Sequence, residues 1–173
     1  MSVSSNKKKI NRLLDFYEQY LKTVNEDAFL TSPAHGVWSY SEIYSHVLWV
    51  IASSLVAIEQ SLNKTSPIKS NQPDWRVRLI LFLGILPGSN LKAPEIVAAN
   101  VKKISKEEAL NKIINIRKRL DTICSEFKKF DLNYKVKHPR LGWLDAKSWL
   151  RFIVVHTKHH IKQISRLEKI LQT

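Results

Sequence analysis

One cysteine (Cys124), four glycines and six prolines are all that this 173-residue chain has of these types. A lone cysteine excludes an intrachain disulfide and any cysteine-based zinc cluster. It fits a reducing compartment, so a cytoplasmic location is expected. Few glycines, and prolines gathered mostly in the middle third, leave long uninterrupted stretches at both ends and speak against a turn-rich sheet fold. Long apolar runs are missing as well. Residues 43–58 form the longest stretch without formal charge, and they include Ser45, His46, Ser53 and Ser54. That is short and polar for a membrane span, so a buried helix is expected there and no membrane partner. Lys7, Lys8 and Lys9 are followed by Asp15 before any apolar run of signal-peptide length, so secretion is not expected. The patterns G-x-x-x-x-G-K-S/T, G-x-G-x-x-G and G-x-S-x-G are absent, which argues against a phosphate loop, a dinucleotide site and a hydrolase nucleophile elbow.

Acidic side chains are also scarce: 15 Asp and Glu stand against 28 Lys and Arg, a formal net charge of +13. The excess lies in the second half. Residues 102–173 carry eighteen basic and seven acidic side chains, against ten and eight before them. A field of that sign concentrates any anion, whether nucleic acid, lipid or small molecule. The apolar content is high enough for a packed core, and the length suits one domain over residues 1–173.

Hydrophobic spacing predicts an all-α chain. Ile10, Leu13, Tyr17, Tyr20 and Val24 define a first helix from Lys8. Residues 25–37, with Pro33 and Gly36, read as an irregular connection. Ser39 and Glu42 form a capping box, with Trp38 and Ile43 as its hydrophobic staple, and open a second helix running to about Asn63. Residues 65–105 contain most of the prolines and one apolar segment, 75–86, long enough for a short helix. A connection of that length can cross the bundle and leave the second and third helices parallel. Ser105 and Glu108 give a second capping box. The stripe Ile113, Ile116, Leu120, Ile123, Phe127 and Phe130 follows it, with Lys112, Arg117, Lys118, Arg119, Lys128 and Lys129 mainly off the stripe as a solvated basic face. Residues 132–144 read as a loop, and Asp145 as the N-cap of a last helix, with Leu144 and Trp149 as a staple pair. The five tryptophans are expected to be mostly core or staple residues.

Histidine placement carries the chemistry. In the last helix Trp149, Ile153, His156, His160, Ile164, Leu167 and Leu171 form one apolar stripe, so two imidazoles one turn apart face the core. His46 shares a face with Ile43, Val50 and Ala57 on the second helix. Histidines on an apolar face are commonly hydrogen-bonded core residues, yet burying three unpaired imidazoles costs desolvation energy. A shared divalent ion removes that cost, and three neutral ligands leave one coordination position open, the pattern of a catalytic site. His159 lies at the edge of the stripe. Glu42, one turn before His46, is accounted for by its capping role. His138 reads as turn chemistry with an exposed ring, and Cys124 as an inert thiol.

Taken together these segments resemble a known family. HPRLGWLDAKSWLRFIVVHTKHHIKQ, residues 138–163, is similar to the C-terminal region of DinB/YfiT-like metalloenzymes, in particular a small branch with HP-x-x-G, a Trp and H-x-x-H-H-x-x-Q. WSYSEIYSH, residues 38–46, resembles the family's W-S/T-x-x-E/Q-I/L-x-x-H helix start. The apolar short helix, Pro-Gly turn and S-x-E-E-A of residues 74–110 follow in family order. The resemblance implies a four-helix bundle of up-down-down-up order with a long crossover between helices two and three. It also implies a divalent metal, zinc or nickel first among the candidates, held by His46, His156 and His160. His159 and Gln163 match the family's extra histidine and following glutamine, as second-shell or pocket-lining residues. The expected activity is metal-dependent hydrolysis or transfer of a low-molecular-weight thiol to an electrophile, on a small, anionic substrate. Two other readings stand beside it: a basic helical module that binds nucleic acid, and a structural homodimer paired through an exposed apolar strip.

Overall fold

The computed structural model describes residues 2–69, 72–86, 101–127, 131 and 133–171. Helix α1 spans Val3–Thr23 and starts five residues earlier than the spacing predicts, because the Ser2 side chain accepts from Ser5 N at 3.1 Å. Its buried line is Ile10, Leu14, Tyr17 and Leu21. Leu13, Tyr20 and Val24, expected on that line, flank it half-buried. The connection after it is not irregular throughout. Asn25 caps a short helix α2, Glu26–Leu30, by accepting from Ala28 N at 2.8 Å, and fully buried Phe29 packs edge-on against Tyr44.

Helix α3, Tyr40–Leu62, begins at the expected capping box: Ser39 accepts from Glu42 N, and the Glu42 carboxylate accepts from Ser39 N at 2.8 Å. By length and composition α3 could cross a membrane, yet 67% of its most apolar window is buried by the other helices. Helix α4, Trp75–Leu83, ends before residue 86 because Gly84 takes a left-handed φ of 71° and closes it through an N–H bond to Ile80 O.

Helix α5, Lys106–Glu126, buries Ile113, Ile116, Leu120 and Ile123 as the stripe predicts; Phe127 is partly buried, and Phe130 lies outside the described residues. Its capping box is half formed. Ser105 accepts from Glu108 N, while the Glu108 carboxylate turns to Lys112 at 3.3 Å. The basic face is correspondingly less solvated than expected, because Arg117 pairs with Asp15 and Glu18 of α1, and Arg119 with Glu59 of α3. Lys128 and Lys129 lie outside the described residues.

The stretch expected to be a loop holds a hairpin instead, over residues 135–145. Strands β1 (Lys135–His138) and β2 (Gly142–Asp145) pair antiparallel from Lys135 with Asp145 to His138 with Gly142. The turn between them closes when His138 Nδ1 accepts from Arg140 N and Leu141 N, and Gly142 supplies a φ of 74°. Strands this short leave too few alternations to show in the sequence. Asp145 then accepts from Ser148 N at 2.7 Å at the start of α6, Ala146–Leu171, which buries Trp149, Ile153, His156, His160, Ile164 and Leu167; Leu171 is exposed. Of the five tryptophans Trp149 is buried, Trp38 and Trp49 are half-buried and pack against the core, Trp143 is half-buried, and Trp75 is 65% exposed.

The four long helices form a bundle. Cross-helix bonds give their relative directions. Lys7 with Asp121 and Asp15 with Arg117 set α1 antiparallel to α5. Ser41 with Ile104 and Glu59 with Arg119 make α3 and α5 parallel, across the long connection. Tyr17 with Thr157 and Tyr20 with Glu168 align α1 with α6. α3 therefore runs against α6, and their shared face carries the histidines.

Candidate functional site

His46 comes from the first half of α3, two turns after the Ser39 cap, while His156 and His160 occupy successive turns of α6. The three rings meet between the two helices. Nε2 of His156 lies 3.3 Å from Nε2 of His46 and 3.2 Å from Nε2 of His160, and all three residues are buried. Each offers a ring nitrogen within 4.8 Å of the others. His160 is oriented from behind: its Nδ1 stands 2.6 Å from Gln163 Oε1, and an amide oxygen there accepts a hydrogen bond from Nδ1–H, leaving Nε2 with its lone pair facing the cluster. Nδ1 of His46 and of His156 are buried without a hydrogen-bond partner among the described residues. Trp38 covers His46, with centroids 5.3 Å apart, and Phe152 covers His156 at the same separation.

This arrangement keeps all three imidazoles neutral. Burial first, and then the charge of His159, lowers His46 from 6.5 to about 4. Burial and then His46 lower His160 to about 3, against a raising bond from Gln163. His156 is pushed well below its ordinary value by burial, then by His160 and His46.

The donor set fits a small divalent cation. His156 Nε2 has either one proton or one lone pair, so it cannot make good hydrogen bonds to both neighbouring nitrogens, and at least one contact sets like groups against each other or leaves two lone pairs crowded on one proton. A cation resolves that repulsion. For Zn–N bonds of about 2.0–2.1 Å a tetrahedron has edges of about 3.3–3.4 Å, close to the two shortest nitrogen separations. Three neutral ligands could thus hold one ion and leave a fourth position open.

Other residues singled out in the sequence fall outside this cluster. His159 is half-buried with its ring edge-on to His160 at 5.2 Å, and burial, then Arg166 and Lys162, lower its pKa. Glu42 is committed to its cap: Oε2 accepts from Ser39 N, Ser39 Oγ and Ser32 Oγ, and these bonds lower its pKa although burial raises it. His138 performs the expected turn chemistry, but its ring is not exposed. It packs against Trp149 and Phe152, and burial lowers it to about 4. Phe152 therefore bridges His138 to His156, a contact that the sequence hides because the hairpin was not legible. Cys124 is half-buried and its thiol is raised by burial, with Lys7 lowering it and Asp121 raising it, as suits an inert residue. Two surface clefts, of about 530 and 410 Å³, lie elsewhere; neither is lined by the clustered histidines.

Comparison with known proteins places this geometry in context. The DinB superfamily model matches residues 10–164. The uncharacterized protein YuaE of Bacillus subtilis is 20% identical over 152 residues, covering 88% of this chain and 90% of that protein. Among solved structures, TT2238, a four-helix bundle protein, superposes with a TM-score of 0.60 at 17% identity over 95% of this chain and 99% of its own. YfiT from Bacillus subtilis, described as a probable metal-dependent hydrolase with an unusual four-helix bundle topology, gives 0.56 at 17% over 99% and 90%. The mycothiol-dependent maleylpyruvate isomerase gives 0.59 at 13% identity over 93% of this chain and 60% of that one. At these identities the structural likenesses establish the fold. The family match extends over most of the sequence, and the chain belongs to the DinB superfamily.

Proposed function

We propose that this protein is a metal-dependent enzyme in which His46, His156 and His160 hold one divalent cation, zinc or nickel, beside an open position for a small-molecule substrate. The observation that carries the reading is the convergence of three Nε2 atoms from two helices in a buried, neutral cluster. A divalent ion held by uncharged ligands keeps its full charge and supplies the Lewis acidity that makes water or a thiol nucleophilic near neutral pH. The chain's own residues prepare for it. Burial keeps the three imidazoles unprotonated, Gln163 selects the tautomer of His160, and Trp38 and Phe152 shield His46 and His156 from bulk water. Glu42 is not assigned as the general base, because its carboxylate is spent on the helix cap.

Two reaction classes fit an open position of this kind: hydrolysis, by analogy with YfiT, and addition of a low-molecular-weight thiol to an electrophile, by analogy with the mycothiol-dependent isomerase. The basic balance of the chain favours an anionic substrate. A nucleic-acid module is the weaker reading, since Arg117 and Arg119 on α5, part of the expected basic face, already face Asp15, Glu18 and Glu59. Thermal unfolding before and after EDTA treatment tests the metal reading. The melting temperature is expected to drop after chelation and recover with added zinc or nickel; a midpoint indifferent to both treatments, with unchanged metal content, refutes it.

A further inference from the structure

Helix α4 leaves most of its apolar surface in water. Only Val77 and Leu81 turn inward, while Leu79, Phe82, Leu83 and, just beyond the helix, Ile85 are exposed, Phe82 by 81%. A contiguous apolar ridge of this kind marks a contact surface more often than a solvated one. The ridge is held in place. Arg151 of α6 donates from Nε to Leu81 O at 2.6 Å and from Nη2 to Phe82 O at 3.2 Å, closing carbonyls at the end of α4. A Cβ on Gly84 would stand 2.8 Å from that Nη2, so the end of the ridge sits close against the guanidinium.

Beside the ridge lies the 410 Å³ cleft. Its walls include Lys9, Arg12, Arg151 and Lys158, over an apolar floor of Leu13 and Val154, and no acidic side chain among the described residues lines it. Arg76 and Arg78 add exposed cations on α4 itself, and the Arg76 guanidinium lies over the Trp75 ring at 5.4 Å. Apolar side chains that protrude next to a cationic hollow match the boundary between acyl chains and anionic headgroups.

We propose that this face docks onto an anionic phospholipid bilayer, with Phe82, Leu83 and Ile85 entering the headgroup boundary and the cleft receiving headgroup phosphates. Among the described residues no helix besides the buried α3 is long and apolar enough to cross a membrane, and a surface contact requires none. Charge selects this occupant over the others. Two copies meeting through the ridge would bring their cations together at a net charge of +13 each. Nucleic acid is met by polar, positively charged surfaces and would leave the ridge uncovered. The proposal is independent of the metal reading.

The test is flotation of the full chain with vesicles of phosphatidylcholine alone and of phosphatidylcholine with one quarter phosphatidylglycerol, alongside the oligomeric state by light scattering. Wild type is expected to float with the anionic vesicles alone, and to lose this in a Phe82→Ser, Leu83→Ser double variant whose circular dichroism and melting are unchanged. Arg12→Ala and Lys158→Ala should each weaken partitioning about fivefold, and salt should weaken it further. Equal flotation with neutral vesicles, no flotation, or flotation indifferent to the ridge substitutions overturns the proposal. So does a wild-type dimer that ignores vesicles and becomes monomeric in the Ser variant, which would assign the ridge to a second copy.

Discussion

Nε2 of His46 and Nε2 of His156 stand 3.3 Å apart, although 110 residues separate them in the chain. Nothing local brings them together. The Ser39 cap sets where α3 begins, Asp145 sets where α6 begins, and the apolar faces of both helices fix how the two pack, so the approach of the rings is a product of the whole core.

Gln163 is the side chain that orients His160. Gln163→Leu removes the acceptor at Nδ1, so metal affinity measured by competition with a chromophoric chelator should fall about 10–100-fold, with the helical circular dichroism signal retained. Gln163→Glu, which preserves an acceptor, should restore most of it. Unchanged affinity in the leucine variant would show that His160 needs no such support.

In the metal-free protein the buried histidines make stability depend on pH. His46 is lowered to about 4 and His160 to about 3, both by burial before any other cause. Depressed values in the folded state mean that below pH 6.5 the unfolded chain binds more protons. Stability is therefore complete above about pH 6.5 and is lost as pH falls toward 4 and then 3, with a slope near 1.4 kcal/mol per pH unit for each histidine. Urea unfolding of chelator-treated protein at pH 7.5, 6 and 5 should show this decline, and His46→Phe should flatten it. A level profile from pH 7.5 to 5 in the wild type contradicts the burial of neutral imidazoles.

Two polar contacts of α3 should differ in weight. Ser41 Oγ, fully buried, donates to Ile104 O and accepts from Ile104 N, both at 2.6 Å, and ties the end of the crossover to the helix. Ser41→Ala strands two buried backbone groups and should cost about 2–3 kcal/mol. The Arg119–Glu59 pair is partly exposed, and Glu59→Ala should cost below about 1 kcal/mol. Denaturant titration of both variants checks the order, and a larger loss for Glu59→Ala would reverse it.

The long helices and the histidine cluster were legible in the sequence for one reason: the stripes through Ile113 to Ile123 and Trp149 to Leu167 are long enough for the helical period to show, and His156 and His160 sit on such a stripe. His46 was legible because a capping box marks the phase of its helix. The hairpin around His138 and the short helix carrying Phe29 were not, since four- or five-residue elements are set by tertiary contacts and turn bonds rather than by periodicity. Trp75 is 65% exposed because α4 makes only a narrow contact with the bundle, which the apolar character of the segment alone does not reveal. The ion pairs of Arg117 and Arg119 also depend on which helix lies opposite, which spacing along one helix cannot reveal.

Elemental analysis of protein purified without a polyhistidine tag, as wild type and as His156→Ala, tests the central claim most directly. About one equivalent of a divalent first-row metal per wild-type chain is expected, with background content in the variant and helical circular dichroism preserved in both. Background content in the wild type even after incubation with zinc or nickel, or a full equivalent retained by His156→Ala, would contradict it.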